Sequence, residues 1–214
     1  MTSKAAVNRI IETLKGIYPD GLCSLQYQKD YELLFAVRLS AQCTDERVNK
    51  VTPALYARFP TLESFAEADP AEVGEYIHSC GFYNGKARDI VACAQKLVNE
   101  YGGRVPGTME ELTGLPGVGR KTANLILGDV FGQPAYVCDT HCIRITGRLG
   151  ITDGSKDPLQ VERQLRERIP PKESNNFCHR MVLFGRDTCT ARSPKCEGCP
   201  LAKDCDTAKA ARRG

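Results

Sequence analysis

The sequence predicts an all-α protein, and three observations support that prediction. Apolar residues recur at spacings of three and four through most of the 214 residues, as in Val7, Ile10, Ile11 and Leu14. Helix start and stop signals separate these stretches. No run of alternating polar and apolar residues is long enough for a sheet. We therefore expect about ten helices joined by short loops.

In the amino-terminal half, each predicted helix lies between such signals: 7–17, 31–39, a segment after Thr44, a segment from Asp69 to near Gly81, and 87–101. The start at Asp69 is the clearest, because a capping side chain is followed by proline at the first helical position and an acid at the third. Pro53 should kink or shift the helix after Thr44. Asn84-Gly85 predicts a turn.

The carboxy-terminal half continues in the same way. Thr108 to Glu111 is a capping box that opens a short helix ending near Leu115. Further helices are predicted over 119–131, from the cap Asp139-Thr140, from Asp157-Pro158, and over 175–184 as the last one.

Composition excludes several classes of protein. The 29 basic and 26 acidic residues give a net charge of +3, which permits a nucleic-acid partner but does not prove one. No apolar run approaches the ~18 residues of a membrane span. The first residues lack the apolar stretch of a signal peptide, so we expect the eleven cysteines to stay reduced. Such cysteines are core residues, nucleophiles or metal ligands.

The most informative short segment is Leu-Pro-Gly-Val-Gly-Arg-Lys-Thr-Ala at 115–123. Gly117 and Gly119 lie between two helical segments, where glycine allows a tight turn with unshielded backbone amides. Those amides and the positive end of the second helix can bind one phosphate, and so hold a nucleic-acid backbone without reading bases. An ordinary helix–helix turn explains the two glycines equally well.

Two residues near this hairpin suggest chemistry. Lys121 follows the second glycine, and an amine beside DNA can attack a sugar carbon and form a Schiff base. A lysine that only pairs with phosphate is the simpler interpretation. Asp139 could serve proton transfer or stabilise positive charge on a sugar, although taken alone a helix N-cap is its commoner role.

Four cysteines lie within 17 residues at the carboxyl end, spaced Cys189-x6-Cys196-x2-Cys199-x5-Cys205. This density predicts a metal centre, either tetrahedral zinc or a [4Fe–4S] cluster. The single Cys-x-x-Cys differs from the doubled pairs of zinc ribbons and favours iron–sulfur. Arg192 and Lys195 lie on the six-residue loop between the first two ligands, from which both could reach phosphate.

The chain resembles the endonuclease III family of DNA glycosylases from about Val7 to Cys205, because several motifs of that family follow one another in the same order. The motifs are Leu-Ser-Ala-Gln-Cys-Thr-Asp at 39–45, Gly-Phe-Tyr-Asn-Gly-Lys-Ala at 81–87, the glycine hairpin, Asp139-Thr140-His141 with Arg144 and Arg148, and the cysteine spacing. The resemblance implies a two-lobed fold. A six-helix lobe would cover 22–133, with the helix-hairpin-helix at about 108–131, and a cluster lobe would cover 1–21 and 134–214.

The resemblance also implies roles for individual residues. Lys121 would displace the damaged base and form the Schiff base, and Asp139 would activate it. Gln42 and Phe82 would fill the helix where the nucleotide is flipped out, although loop aromatics packing on the core remain the alternative for Phe82. His141 and Arg144 would face phosphates, with a capping histidine as the plainer interpretation.

The resemblance further implies a bacterial cytoplasmic enzyme, monomeric and not membrane-bound, acting on double-stranded DNA with a damaged base or abasic site. Oxidised pyrimidines would be excised and the strand nicked by β-elimination. Monofunctional adenine or mismatch glycosylases of the same superfamily are the nearest alternative, but they usually lack a lysine at position 121, and the adenine branch has a glutamate where this chain reads Val37 and Arg38. A non-catalytic helix-hairpin-helix protein would need neither Lys121 nor Asp139.

Overall fold

The computed structural model describes residues 1–211, and these residues form helices and loops with no strand. The all-α prediction is therefore confirmed. The α-helices are α1 Lys4–Ile17, α2 Asp30–Leu39, α3 Asp45–Arg58, α4 Leu62–Ala66, α5 Pro70–Ile77, α6 Tyr83–Tyr101, α7 Met109–Thr113, α8 Arg120–Asp129, α9 Thr140–Arg148, α10 Pro158–Arg168, α11 Ser174–Asp187 and α12 Asp206–Ala211. Two short 3-10 helices cover His78–Cys80 and Pro171–Glu173.

The chain divides into two compact units, one formed by residues 23–132 and the other by 1–22 together with 133–214. In residues 1–211, no helix has the length and apolar character needed to cross a membrane.

The unit of residues 23–132 is built around α6, which packs against α4 and α5, while α8 packs against α2 and α7. An aromatic cluster closes one part of its core: the ring of Phe65 lies 5.0 Å from that of Phe35 and 5.1 Å from that of Phe59. Such tilted and edge-on pairs add to the apolar burial that holds the helices together.

In the other unit, α11 packs against both α1 and α9. Ile10 and Leu14 of α1 are buried, as are Ile145 of α9 and Phe184 of α11. Gly185 leaves room for α9, since a Cβ there would overlap the His141 imidazole. The absence of a side chain at this position thus allows the helix that begins after Asp139 to pack against α11.

Three local predictions were wrong. Asn84 and Gly85 lie inside α6, because the helical backbone is interrupted just before them, where Gly81 and Phe82 have positive φ. Two short helices were missed, α4 and, after the predicted last helix, α12. Neither has the repeated apolar spacing that identifies longer helices, since one has five residues and the other six.

Candidate functional site

The glycine hairpin joins α7 to α8. Leu115 and Val118 are buried and anchor it, while Gly117 and Gly119 are exposed. Gly117 has a φ of +73°, the left-handed conformation that glycine adopts without steric cost. The hairpin backbone therefore stands at the surface, supported by apolar contacts beneath it.

Gly119 is the N-cap residue of α8, with an ordinary φ of −96°. A Cβ at this position would meet no protein atom within 4 Å, so neither the backbone nor the packing requires glycine. Glycine does leave the amides of the first turn of α8 open to a close approach from outside, and a helix start of this kind binds phosphate groups. Lys121 lies in that first turn and is exposed.

Gln42 and Phe82 share an unusual backbone conformation. In residues 1–211 they are the two non-glycine residues with positive φ, at +56° and +48°. Both side chains are exposed, and the Phe82 ring is 77% accessible. Left-handed angles are costly for such residues and persist only where the surrounding structure holds the chain in place.

Lys86 connects the segments that carry these two residues. Its side chain is 1% exposed, and its Nζ donates to the carbonyl of Leu39 at 2.8 Å and to that of Cys80 at 2.7 Å. Burial lowers the pKa of Lys86. One buried ammonium thus fixes the end of α2, ahead of Gln42, against the residues that precede Phe82.

Asp139 is the N-cap of α9, as its sequence position predicted. Its Oδ1 accepts a hydrogen bond from the backbone N–H of Cys142 at 2.7 Å. One carboxylate oxygen is therefore used to cap the helix. The capping role is established by geometry, and a role in proton transfer remains a prediction.

The four cysteines of the 189–205 segment line one cavity, together with apolar side chains including Leu149, Phe184 and Leu201. None of the four takes part in a disulfide. Burial raises the pKa of Cys199, so metal binding there must displace a proton. Four thiols around one apolar cavity match the ligand set of an iron–sulfur cluster.

Arg148 of α9 holds the loop that bears Arg192 and Lys195. Its guanidinium donates to the carbonyls of Thr190 at 2.7 Å and Ala191 at 2.8 Å, and to Cys189 Sγ at 3.4 Å. The backbone N–H of Lys195 donates to the Thr188 carbonyl at 2.9 Å. The loop is thus fixed at both ends, and the side chains of Arg192 and Lys195 are exposed.

Arg144 and His141 are half-buried and contact each other. Arg144 Nη2 lies 3.2 Å from His141 Nδ1 and donates to the Cys189 carbonyl at 2.9 Å. These contacts join α9 to the cluster segment. A phosphate contact by either residue remains a prediction.

The structure brings Gln42, Phe82, Gly117, Gly119 and Lys121 into the unit of 23–132, and it places Asp139, His141, Arg144, Arg192, Lys195 and the four cysteines in the other. The supporting roles of Lys86 and Arg148 were not foreseen. Both residues stand in the motifs that suggested the family, but their partners are distant carbonyl groups that no local pattern indicates.

Comparison with known proteins agrees with this arrangement. Residues 35–171 match the family model of the HhH-GPD superfamily of base excision DNA repair proteins, and residues 189–205 match that of the iron-sulfur binding domain of endonuclease III. An endonuclease III of Synechocystis sp. is 47% identical over 98% of this chain and 95% of its own length. That of Bacillus subtilis is 39% identical over 91% of this chain and 89% of its own.

A solved structure described as a trapped endonuclease III–DNA covalent intermediate superposes with a TM-score of 0.93 at 40% identity, covering all of both chains. The iron-sulfur match spans the four cysteines that line one cavity, and the chain holds a [4Fe–4S] cluster. From its all-helical fold, its glycine hairpin, its cysteine cavity and these similarities, we conclude that the chain belongs to the endonuclease III family.

Proposed function

We propose that the protein is a bifunctional DNA glycosylase and abasic-site lyase of base excision repair. It removes oxidised pyrimidines from double-stranded DNA and nicks the resulting abasic site by β-elimination. The observation that supports this best is Lys121, an exposed amine in the first turn of α8, two residues after the exposed Gly119 of the hairpin. We further propose that it acts as a monomer in the bacterial cytoplasm.

In this proposal, the hairpin amides bind a backbone phosphate and bring Lys121 to the adjacent sugar. The Lys121 amine attacks the C1′ carbon of the sugar, and the damaged base leaves. The C1′–O4′ bond of the sugar then breaks, which opens the ring and gives the Schiff base. The Asp139 carboxylate accepts a proton and stabilises developing positive charge at the sugar. Because the Schiff base draws electrons from the sugar, a C2′ proton can be lost; the C3′–O bond then breaks, and the phosphate leaves on the 3′ side.

Gln42 and Phe82 fill the space left by the extruded nucleotide. Unstacking a base costs a few kcal/mol, and an exposed ring that restacks on the neighbouring bases offsets part of that cost. Cys189, Cys196, Cys199 and Cys205 hold the [4Fe–4S] cluster, which crosslinks the segment that presents Arg192 and Lys195 to the DNA backbone.

Borohydride trapping tests this function. The wild-type protein should form a reduced covalent complex with a duplex that contains thymine glycol or an abasic site, and Lys121→Ala should abolish it. Lys50→Ala is a matched control, because Lys50 is an exposed lysine of the same unit, paired with Glu46 at 2.6 Å. Trapping that survives Lys121→Ala would remove Lys121 from its role, and wild-type protein that forms no complex would refute the lyase.

A further inference from the structure

The glycine hairpin rests on an ion pair between two other helices. Arg38 lies in the last turn of α2 and Asp89 lies in α6. Arg38 Nε donates to Asp89 Oδ2 at 2.7 Å, and Nη2 lies 2.6 Å from the same oxygen. The two side chains are only 27% and 32% exposed, so the pair is partly withdrawn from water.

The hairpin touches this pair at Gly117. A Cβ at that position would lie 2.9 Å from Arg38 Nε and 2.9 Å from the Cβ of Asp89, closer than such atoms approach in proteins. Even an alanine methyl group would therefore displace either the hairpin or the pair. The absence of a side chain at Gly117 brings the hairpin backbone into direct contact with the two charged residues.

The same pair connects the other segments of this unit that bear predicted DNA contacts. Arg38 stands four residues before Gln42, and Asp89 stands seven residues after Phe82. Rigid contacts of this kind fix the distance between elements. The position of the pair therefore sets where the hairpin amides lie relative to the segments that bear Gln42 and Phe82.

We propose that Arg38 and Asp89 are positioning residues that seat the hairpin for phosphate binding. The proposal rests on the function proposed above only in that the hairpin binds the DNA backbone. Neither Arg38 nor Asp89 contacts the reacting atoms in this proposal.

The proposal is testable because an effect of charge and an effect of position predict opposite changes in DNA binding when Asp89 is replaced. If the two residues acted only through their charges, removing Arg38 would weaken DNA binding and removing Asp89 would strengthen it. If they act by position, either removal displaces the hairpin, and both weaken binding. The double variant Arg38→Met/Asp89→Asn keeps the net charge of the wild type and so isolates the effect of position.

The experiment measures the dissociation constant of a labelled duplex with a tetrahydrofuran abasic analogue, and of the same duplex without it, for Arg38→Met, Asp89→Asn and the double variant. We expect each to raise Kd about tenfold, which corresponds to about 1.4 kcal/mol, with the double variant no worse than either single one. The rate of borohydride trapping at saturating abasic DNA should fall as well, because a displaced hairpin no longer brings Lys121 to the sugar.

Arg58→Met is the matched control, since Arg58 and Glu72 form a 2.6 Å ion pair of the same unit with side chains 50% and 36% exposed. It should leave both Kd values unchanged, while melting temperatures report any general loss of stability. Tighter binding by Asp89→Asn, wild-type binding by the double variant, or an equal loss in Arg58→Met would each overturn the proposal. Because Kd for the undamaged duplex needs no chemistry, failure of the lyase would leave this test intact.

Discussion

Asp139 has a structural role as a helix cap and a proposed chemical one, and two substitutions separate them. Asp139→Asn keeps an oxygen that can accept the 2.7 Å hydrogen bond from the Cys142 N–H, whereas Asp139→Ala removes it. Asparagine caps helices about as well as aspartate, and loss of a cap costs about 0.5–2 kcal/mol. The two variants should therefore differ in stability, while both lack the carboxylate that could act as a base.

The free energy of the helix cap corresponds to a change in melting temperature. For a chain of this size, 1 kcal/mol corresponds to about 2–4 °C in melting temperature. Asp139→Ala should therefore melt a few degrees below the wild type, and Asp139→Asn close to it. A positioned base contributes about 10²–10⁴-fold to a reaction, so both variants should lose activity within that range.

Thermal melting followed by circular dichroism gives the stabilities, and single-turnover excision from a thymine glycol duplex gives the rates. Binding to a tetrahydrofuran duplex shows whether affinity is retained. Normal turnover by Asp139→Asn would refute the catalytic role of Asp139. A melting temperature that falls equally in both variants would refute the argument from the helix cap.

Three further results are expected. Phe82→Gly should raise the melting temperature by about 2–8 °C, because glycine relieves a left-handed conformation that costs about 1–2 kcal/mol. Binding of this variant to the tetrahydrofuran duplex should weaken, and unaltered binding would show that the ring does not enter the DNA. Arg192→Ala and Lys195→Ala should each reduce the slope of log Kd against log salt by about 0.9 for every duplex, and an unaltered slope would place that side chain away from phosphate. The purified protein should contain iron and acid-labile sulfide, both lost in Cys199→Ser, whereas zinc in their place would contradict a [4Fe–4S] cluster.

Local patterns predicted much of this molecule because its helices are built from local signals. The spacing of apolar residues and the caps at Asp69 and Asp139 are properties of a few neighbouring residues, and the structure shows both caps. Contacts across the fold could not be foreseen in the same way. Arg38 and Asp89 are 51 residues apart, and Lys86 bonds to a carbonyl 47 residues away. Long cationic side chains on a helix normally extend into solvent, so nothing local distinguishes those that turn inward.

The backbone of Gln42 and Phe82 also lay outside what sequence could indicate, and it ties the fold to the proposed function. At φ of +56° and +48°, these residues together cost about 2–4 kcal/mol relative to glycine. Packing does not offset that cost, since both side chains are exposed. The fold nevertheless holds them in place, through the buried ammonium of Lys86 between their segments. These two strained and exposed residues are therefore consistent with the proposed role, in which an amide and an aromatic ring fill a gap in the DNA stack.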